Sequence, residues 1–244
     1  MRAILTYHSI DRTGSVISIT PEVFREHVQW IADRGIRVAP LDDLLAADTN
    51  DGRDAIAITF DDGFANFEGA ANVLGQYGFP STVFVVSAHV GGTNAWGGKE
   101  ESGIPTLPLL GWQDLERLAA RGVTIGAHTR SHARLTAIGA AAAEDEMDAC
   151  ATELRARLGH AVKHFAYPYG DVNGLVAALA AKRFATSVTT RFSVLTDEDL
   201  PMWLPRLDMY YFRRPGAIRS WGTWRFGPRV WSVRTRRRVR ETFQ

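Results

Sequence analysis

The sequence predicts an α/β fold in which βαβ units build a parallel sheet or barrel. Three observations predict it. Short runs rich in β-branched residues alternate with helical patterns along most of the chain. Polar clusters follow several of these runs, where active sites of parallel α/β folds gather. The length of 244 residues with 45% hydrophobic content suits one core of barrel size.

Residues 3–6, 55–60, 81–86, 123–127, 164–167 and 186–189 read as strands. Between them, residues 21–34 read as a helix, capped by Thr20, opened by Pro21 and ended by Gly35. Residues 66–77 form a second helix, closed by Gly78 and Pro80. Residues 111–121 form a third, closed by Gly122, and residues 140–158 the longest, closed by Gly159. Residues 173–182 form a fifth. Residues 87–108 break the rhythm with five glycines, two prolines and Trp96. Loops of this length are functional or mobile in compact domains. The segment reads as one wall of a substrate groove, with a tolerated surface insertion as the other reading.

Four polar clusters close predicted strands. Thr59-Phe60-Asp61-Asp62-Gly63 places two carboxylates side by side, which repel unless a cation or hydrogen bonds compensate. One can hold a metal while the other acts as a base; alternatively the pair caps a helix or shapes a turn. His128-Thr129-Arg130-Ser131-His132 sets two imidazoles four residues apart. They converge on one ion if the backbone turns helically between them, and otherwise are two surface histidines. Imidazole suits zinc, and also cobalt or nickel. Phe165-Ala166-Tyr167-Pro168-Tyr169-Gly170 shapes a tight loop, able to aim a backbone N–H at a developing oxyanion or to serve as a plain aromatic turn. Tyr7-His8-Ser9-Ile10 closes the first strand, with His8 either structural or functional. His27, His89, His160 and His164 lack such a context and read as structural.

In this order, the clusters resemble the motifs of the polysaccharide deacetylases, the carbohydrate esterases built on the NodB-like homology domain. TFDDG is similar to the first motif of that family, HTRSH to the second and YPYG to the end of the third. The resemblance spans residues 1–208. It implies a distorted (β/α) barrel, seven-stranded, and hydrolysis of the N-acetyl group of a sugar. It further implies a divalent metal, zinc first, on Asp62, His128 and His132. Asp61 matches the general base, and the Tyr169 backbone N–H the oxyanion donor. Two departures stand out. Ala166 occupies the place of a motif arginine that orients the catalytic aspartate, and no histidine follows His164 to supply a late catalytic acid. FAYPYG and the leading YHSI resemble the poly-N-acetylglucosamine deacetylase branch, where an N-terminal histidine serves as the acid. His8 matches it, and Arg206 in Leu204-Pro205-Arg206 stands in for the missing arginine.

The net charge of +1 hides an asymmetry. Residues 213–244 carry ten arginines and one acid, a net +9, leaving 18 basic and 26 acidic residues, a net −8, in residues 1–212. The sequence thus divides into a catalytic domain over 1–212 and a basic, Trp/Arg-rich tail over 213–244. Trp221, Trp224 and Trp231 among the arginines predict contact with a lipid headgroup region. On that reading the substrate is a lipid-linked or nascent N-acetylated glycan. The plainer reading is a solvated tail packing some aromatics on the barrel, and nucleic acid is not the expected partner. Residues 1–8 lack a secretory hydrophobic run and no apolar stretch reaches spanning length, so the expected location is cytoplasmic, peripheral at the inner membrane face. Cys150, the one cysteine, is expected in the core. Two other function classes fit the same fold: an amidohydrolase of a non-sugar amide and a non-catalytic glycan-binding protein.

Overall fold

A computed structural model describes residues 1–46, 53–100 and 102–242. In chain order its elements are β1 (Arg2–Tyr7), β2 (Ser9–Ile10), β3 (Ser18–Ile19), α1 (Pro21–Asp33), β4 (Arg37–Val38) and α2 (Leu41–Ala46). There follow β5 (Ala55–Phe60), α3 (Phe67–Gln76), β6 (Thr82–Val85), α4 (Trp112–Ala120), β7 (Thr124–Ala127) and α5 (Ala140–Leu158). The chain ends with β8 (His164–Ala166), α6 (Gly174–Ala180), β9 (Thr186–Phe192), β10 (Leu204–Asp208) and α7 (Phe226–Thr242).

Closure of the sheet follows from β1, which is paired on both edges. One edge runs parallel to β5 from Arg2↔Ala55 to Tyr7↔Phe60. The other runs parallel to β10 through Leu5↔Leu207 and Thr6↔Asp208. The ring β1-β5-β6-β7-β8-β9-β10 is therefore a closed, parallel, seven-stranded barrel. Since β1 fills one edge of β5, β4 and β6 share the other: β4 pairs with Ala55 and Ile56, β6 with Thr59 and Phe60.

Side-chain parity sorts the strands into two packing layers. In β5, Ile56, Ile58 and Phe60 join the outer core under the helices, while Ala55 and Ala57 face inward. In β1, Leu5 and Tyr7 point outward and Ile4 inward. The inner cluster is small: Ile4, Ala57, Phe84, Ala166, Val188 and Leu204, joined by Leu41 and Leu44 of α2. Gly126 is needed there, because a Cβ would lie 2.4 Å from the Phe84 ring. Filled by few side chains, the barrel interior leaves room at its carboxyl end for the polar residues described below.

Every predicted strand and helix is present, with ends moved by a few residues. Six further elements were not expected: β2, β3, β4, α2, β10 and α7. Pro205 and the charged Arg206 hide strand β10, and its register against β9 shifts between Leu204 and Arg206, an irregularity where proline is tolerated. Helix α7 carries Pro228 in its first turn, where a missing N–H costs nothing. The segment from residue 213 onward packs on the barrel: Ile218, Trp221, Phe226 and Val233 are buried in the outer core. Trp221 also donates its indole N–H to Asp54, at 2.7 Å. Of the basic run, the side chains of Arg237, Arg238 and Arg240 lie outside the described residues. No helix among the described residues is long and apolar enough to cross a membrane.

Candidate active site

Asp61 and Asp62 leave the end of β5 in different directions. Asp61 continues the inward parity of Ala57 and Thr59, so its carboxylate enters the mouth of the barrel. Asp62 takes a left-handed conformation at φ 70°, which turns its side chain away from that row. Four non-glycine residues of the described chain have positive φ: Asp62, Thr129, His132 and Tyr169. All four belong to the three loops singled out by their motifs. Such conformations cost on the order of 1–3 kcal/mol each and persist where the surroundings enforce them. The convergence of His128 and His132 therefore differs from the helical turn expected. The loop reaches it through two left-handed residues, held by a 2.9 Å bond from the His132 N–H to the Thr129 hydroxyl. Glu146 of α5 clamps the same loop, accepting from the Ser131 N–H at 2.8 Å and its hydroxyl at 2.6 Å.

Two of these loops bring Asp62, His128 and His132 together. One ligand atom from each lies within 4.8 Å of the others, and all three residues are buried. Both Nε2 atoms lie 3.3 Å from Asp62 Oδ1. His128 Nδ1 lies 2.7 Å from the Ala166 carbonyl, which can only accept, so Nδ1 carries a proton and Nε2 faces the cluster. Neutral, that Nε2 can ligate a cation beside Asp62; protonated, it donates to the Asp62 carboxylate. Burial opposes ionisation of Asp62, but hydrogen bonds from His128 and His132 hold its carboxyl well below the usual range. Two imidazoles and one carboxylate fit the donor set of a catalytic zinc site.

Asp61 is compensated separately. Arg206, on β10, is 1% exposed and forms a bidentate pair with Asp61, 2.6 Å at each oxygen. Its remaining N–H groups donate to the Thr189 carbonyl at 3.0 Å and to the Thr6 hydroxyl at 3.0 Å. Burial opposes the charge on Asp61, yet Arg206, with smaller help from His128 and His8, keeps its carboxyl below the usual range. One carboxylate thus has a built-in arginine, while the other faces only imidazoles.

His8 enters the same mouth, with Nε2 3.8 Å from Asp61 Oδ2 and a side chain 25% exposed. The flanking chain is anchored by Asn66, which accepts from the Ile10 N–H at 3.1 Å and donates to the Ser9 hydroxyl at 2.7 Å. Tyr169 sits in the turn Pro168–Gly170, its ring 4.6 Å from that of His132 and its hydroxyl 3.1 Å from His132 Nδ1. Gly170 has no room for a side chain: a Cβ would lie 2.0 Å from the Thr190 hydroxyl. The Arg134 guanidinium covers the outer face of Tyr169, 4.0 Å from the ring centre.

From the long 87–108 segment, Trp96 stacks on His132 at 4.4 Å and His89 meets Trp96 edge-on at 5.0 Å. Through Trp96 this segment reaches the candidate ligand His132. Sequence reasoning had placed Trp96 in the wall without its contact to a candidate ligand, and had left out Arg134 and Glu146. No motif spacing marks these residues, which arrive from separate elements. The remaining histidines have structural partners: His27 bonds the Tyr7 hydroxyl and the Phe212 carbonyl, and His164 bonds Thr186. Cys150 is fully buried, and burial raises its thiol to about 12.

The family model for polysaccharide deacetylases matches residues 48–186. The chain belongs to the polysaccharide deacetylase family. This deacetylase-family chain is 26% identical over 148 residues to the Bacillus subtilis (strain 168) protein YxkH, whose name places it among polysaccharide deacetylases. The match covers 59% of this chain and 48% of YxkH, so the chain spans about half the length of that relative. Among solved structures, IcaB from Ammonifex degensii superposes with a TM-score of 0.73 at 20% identity, over 91% of this chain and 96% of that one. The Streptococcus pyogenes deacetylase PplD, solved with acetate, superposes with a TM-score of 0.71 at 20% identity, over 84% and 91%. At such identities these two structures speak for the polysaccharide deacetylase barrel.

Proposed function

We propose that the protein is a divalent-metal-dependent hydrolase that removes the N-acetyl group from an N-acetylated sugar and releases acetate. The observation that carries this reading is the division of labour between the adjacent carboxylates. Asp62 lies with two imidazoles in a metal-type cluster, and Asp61 is held ionised by Arg206 beside it.

A cation held by Asp62, His128 and His132, zinc by its donor set and cobalt or nickel as substitutes, supplies Lewis acidity toward the acetyl carbonyl and acidifies water. Asp61 accepts the proton of the attacking water, and Arg206 fixes the direction of its lone pairs. The Tyr169 backbone N–H stabilises the oxyanion. His8, protonated, donates to the amine nitrogen as the C–N bond breaks, since an amide nitrogen leaves poorly without a proton. Water and amide are consumed; acetate and a free amino sugar are formed. An N-terminal histidine acid and an arginine arriving from β10 support placement in the poly-N-acetylglucosamine deacetylase branch.

The test is acetate release from N-acetylglucosamine oligomers by the full chain, with chelator and with added zinc or cobalt. Metal-dependent release supports the reading. Absence of both release and bound metal overturns it.

A cytoplasmic location with the C-terminal segment against the inner membrane face, and a lipid-linked glycan as substrate, extend this proposal. Trp224 and Trp231 are 79% and 62% exposed, whereas Trp221 is buried, so two of the three tryptophans are free to meet lipid. Flotation with anionic vesicles should weaken in a Trp224→Ala/Trp231→Ala variant; wild-type protein that does not float removes the membrane part.

A further inference from the structure

We propose that Arg213, Arg214, Arg229 and Arg236 form a binding site for a phosphate group, separate from the deacetylase centre. These four arginines line one cavity of about 400 Å³, together with Tyr210, Tyr211 and Ser232. Arg213 and Arg214 follow the turn Met209–Phe212, which leaves the carboxyl end of β10. Arg229 and Arg236 lie seven residues apart on α7, two helical turns along one face. Chain order thus separates the pairs, and the packing of α7 against the barrel brings them to one cavity.

Among the described residues no carboxylate lines this cavity and none forms an ion pair with any of the four arginines. Two of the guanidinium groups are held in place by neutral acceptors. Arg213 donates to the Tyr210 carbonyl at 3.1 Å and covers the Tyr210 ring at 3.8 Å. Arg229 donates to the Tyr211 carbonyl at 2.9 Å and covers Phe212 at 5.0 Å. These contacts orient the charges without neutralising them. Arg229 Nε is buried with no hydrogen-bond partner, the one such side-chain atom among the described residues. Burial and then the charge of Arg214 press the Arg229 pKa downward, as expected of like charges gathered without a counterion.

An anion in the cavity relieves this repulsion. Four cations call for a multiply charged ligand, and a phosphomonoester or diphosphate offers about −1.5 to −2 charges per phosphate with oxygens that guanidinium groups bind bidentately. The cavity volume is within the range of small-ligand sites, about 300–1,000 Å³. The phosphate can belong to a soluble ester or to a lipid headgroup.

Calorimetric titration of the full chain with inorganic pyrophosphate at low salt tests the site. Wild type should bind saturably, and Arg214→Gln/Arg236→Gln should bind at least tenfold more weakly, about 1.4 kcal/mol. Both residues are exposed, so the substitutions leave the core intact. Arg183→Gln, which removes an arginine paired with Asp148 instead, should bind as wild type. Sedimentation with phosphatidylcholine vesicles, with and without phosphatidic acid, separates the sources. Phosphatidic-acid-dependent binding that the double substitution abolishes assigns the phosphate to a headgroup. Pyrophosphate binding without vesicle binding assigns it to a soluble ester. Wild-type protein that binds neither probe, or a double variant that binds as tightly as wild type, overturns the proposal.

Discussion

Arg206 and Asp61 stand 145 residues apart in the chain and meet as a buried, bidentate ion pair, 2.6 Å at both oxygens. They meet because β10 and β5 flank β1 in the closed ring, and because both side chains point inward. Ala166, where the related motif carries an arginine, leaves the barrel mouth open for an arginine from this other strand.

Breaking that pair should uncover Asp61. Its folded pKa is depressed, so the pair contributes stability above the unfolded carboxylate range, about pH 4, and loses it as pH falls through the lower folded value. Arg206→Met leaves a buried unpaired carboxylate and should cost about 3–5 kcal/mol in urea unfolding at neutral pH. Arg206→Lys keeps the charge but not the fork. The acidic limb of its kcat/KM profile should move to higher pH, and an unmoved limb would argue that Arg206 does not position the base.

The two adjacent carboxylates should separate experimentally. Asp61→Asn should lower kcat by about 10²–10⁴-fold while metal content, read by elemental analysis, stays near wild type. His132→Ala should lose the metal itself. Full turnover in Asp61→Asn excludes it as the base.

Trp96 stacks on His132 from outside the donor set. Its replacement by alanine frees the imidazole to reorient, and supporting contacts of this kind are worth about 10–100-fold in metal affinity. Competition with a chromogenic chelator reads that loss directly. Unchanged affinity would limit Trp96 to the substrate wall.

The C-terminal segment should be part of the folding unit. Trp221→Ala removes a buried indole and its bond to Asp54, and should destabilise by about 3–5 kcal/mol. Trp231→Ala, at a residue 62% exposed, should stay within about 0.5 kcal/mol. Equal effects would contradict the packing described for this segment.

The sequence by itself determined the strand–helix order, because buried parallel strands must be continuous apolar runs and their helices end at glycines such as Gly35 and Gly159. It also determined which loops carry chemistry, because Asp61-Asp62 and His128–His132 are polar clusters abutting such runs. Only the tertiary structure decided how those loops converge. The left-handed backbone at Asp62, Thr129 and His132 leaves no mark in composition, and Glu146 and Trp96 act from separate elements that no motif links to the site. The sequence marked Arg206 as the stand-in arginine but not the strand that carries it, which Pro205 disguises, nor α7, whose arginine-rich surface masks the side that packs on the barrel. Local sequence sets which elements form; the closure of the barrel through β1 sets which side chains share its mouth.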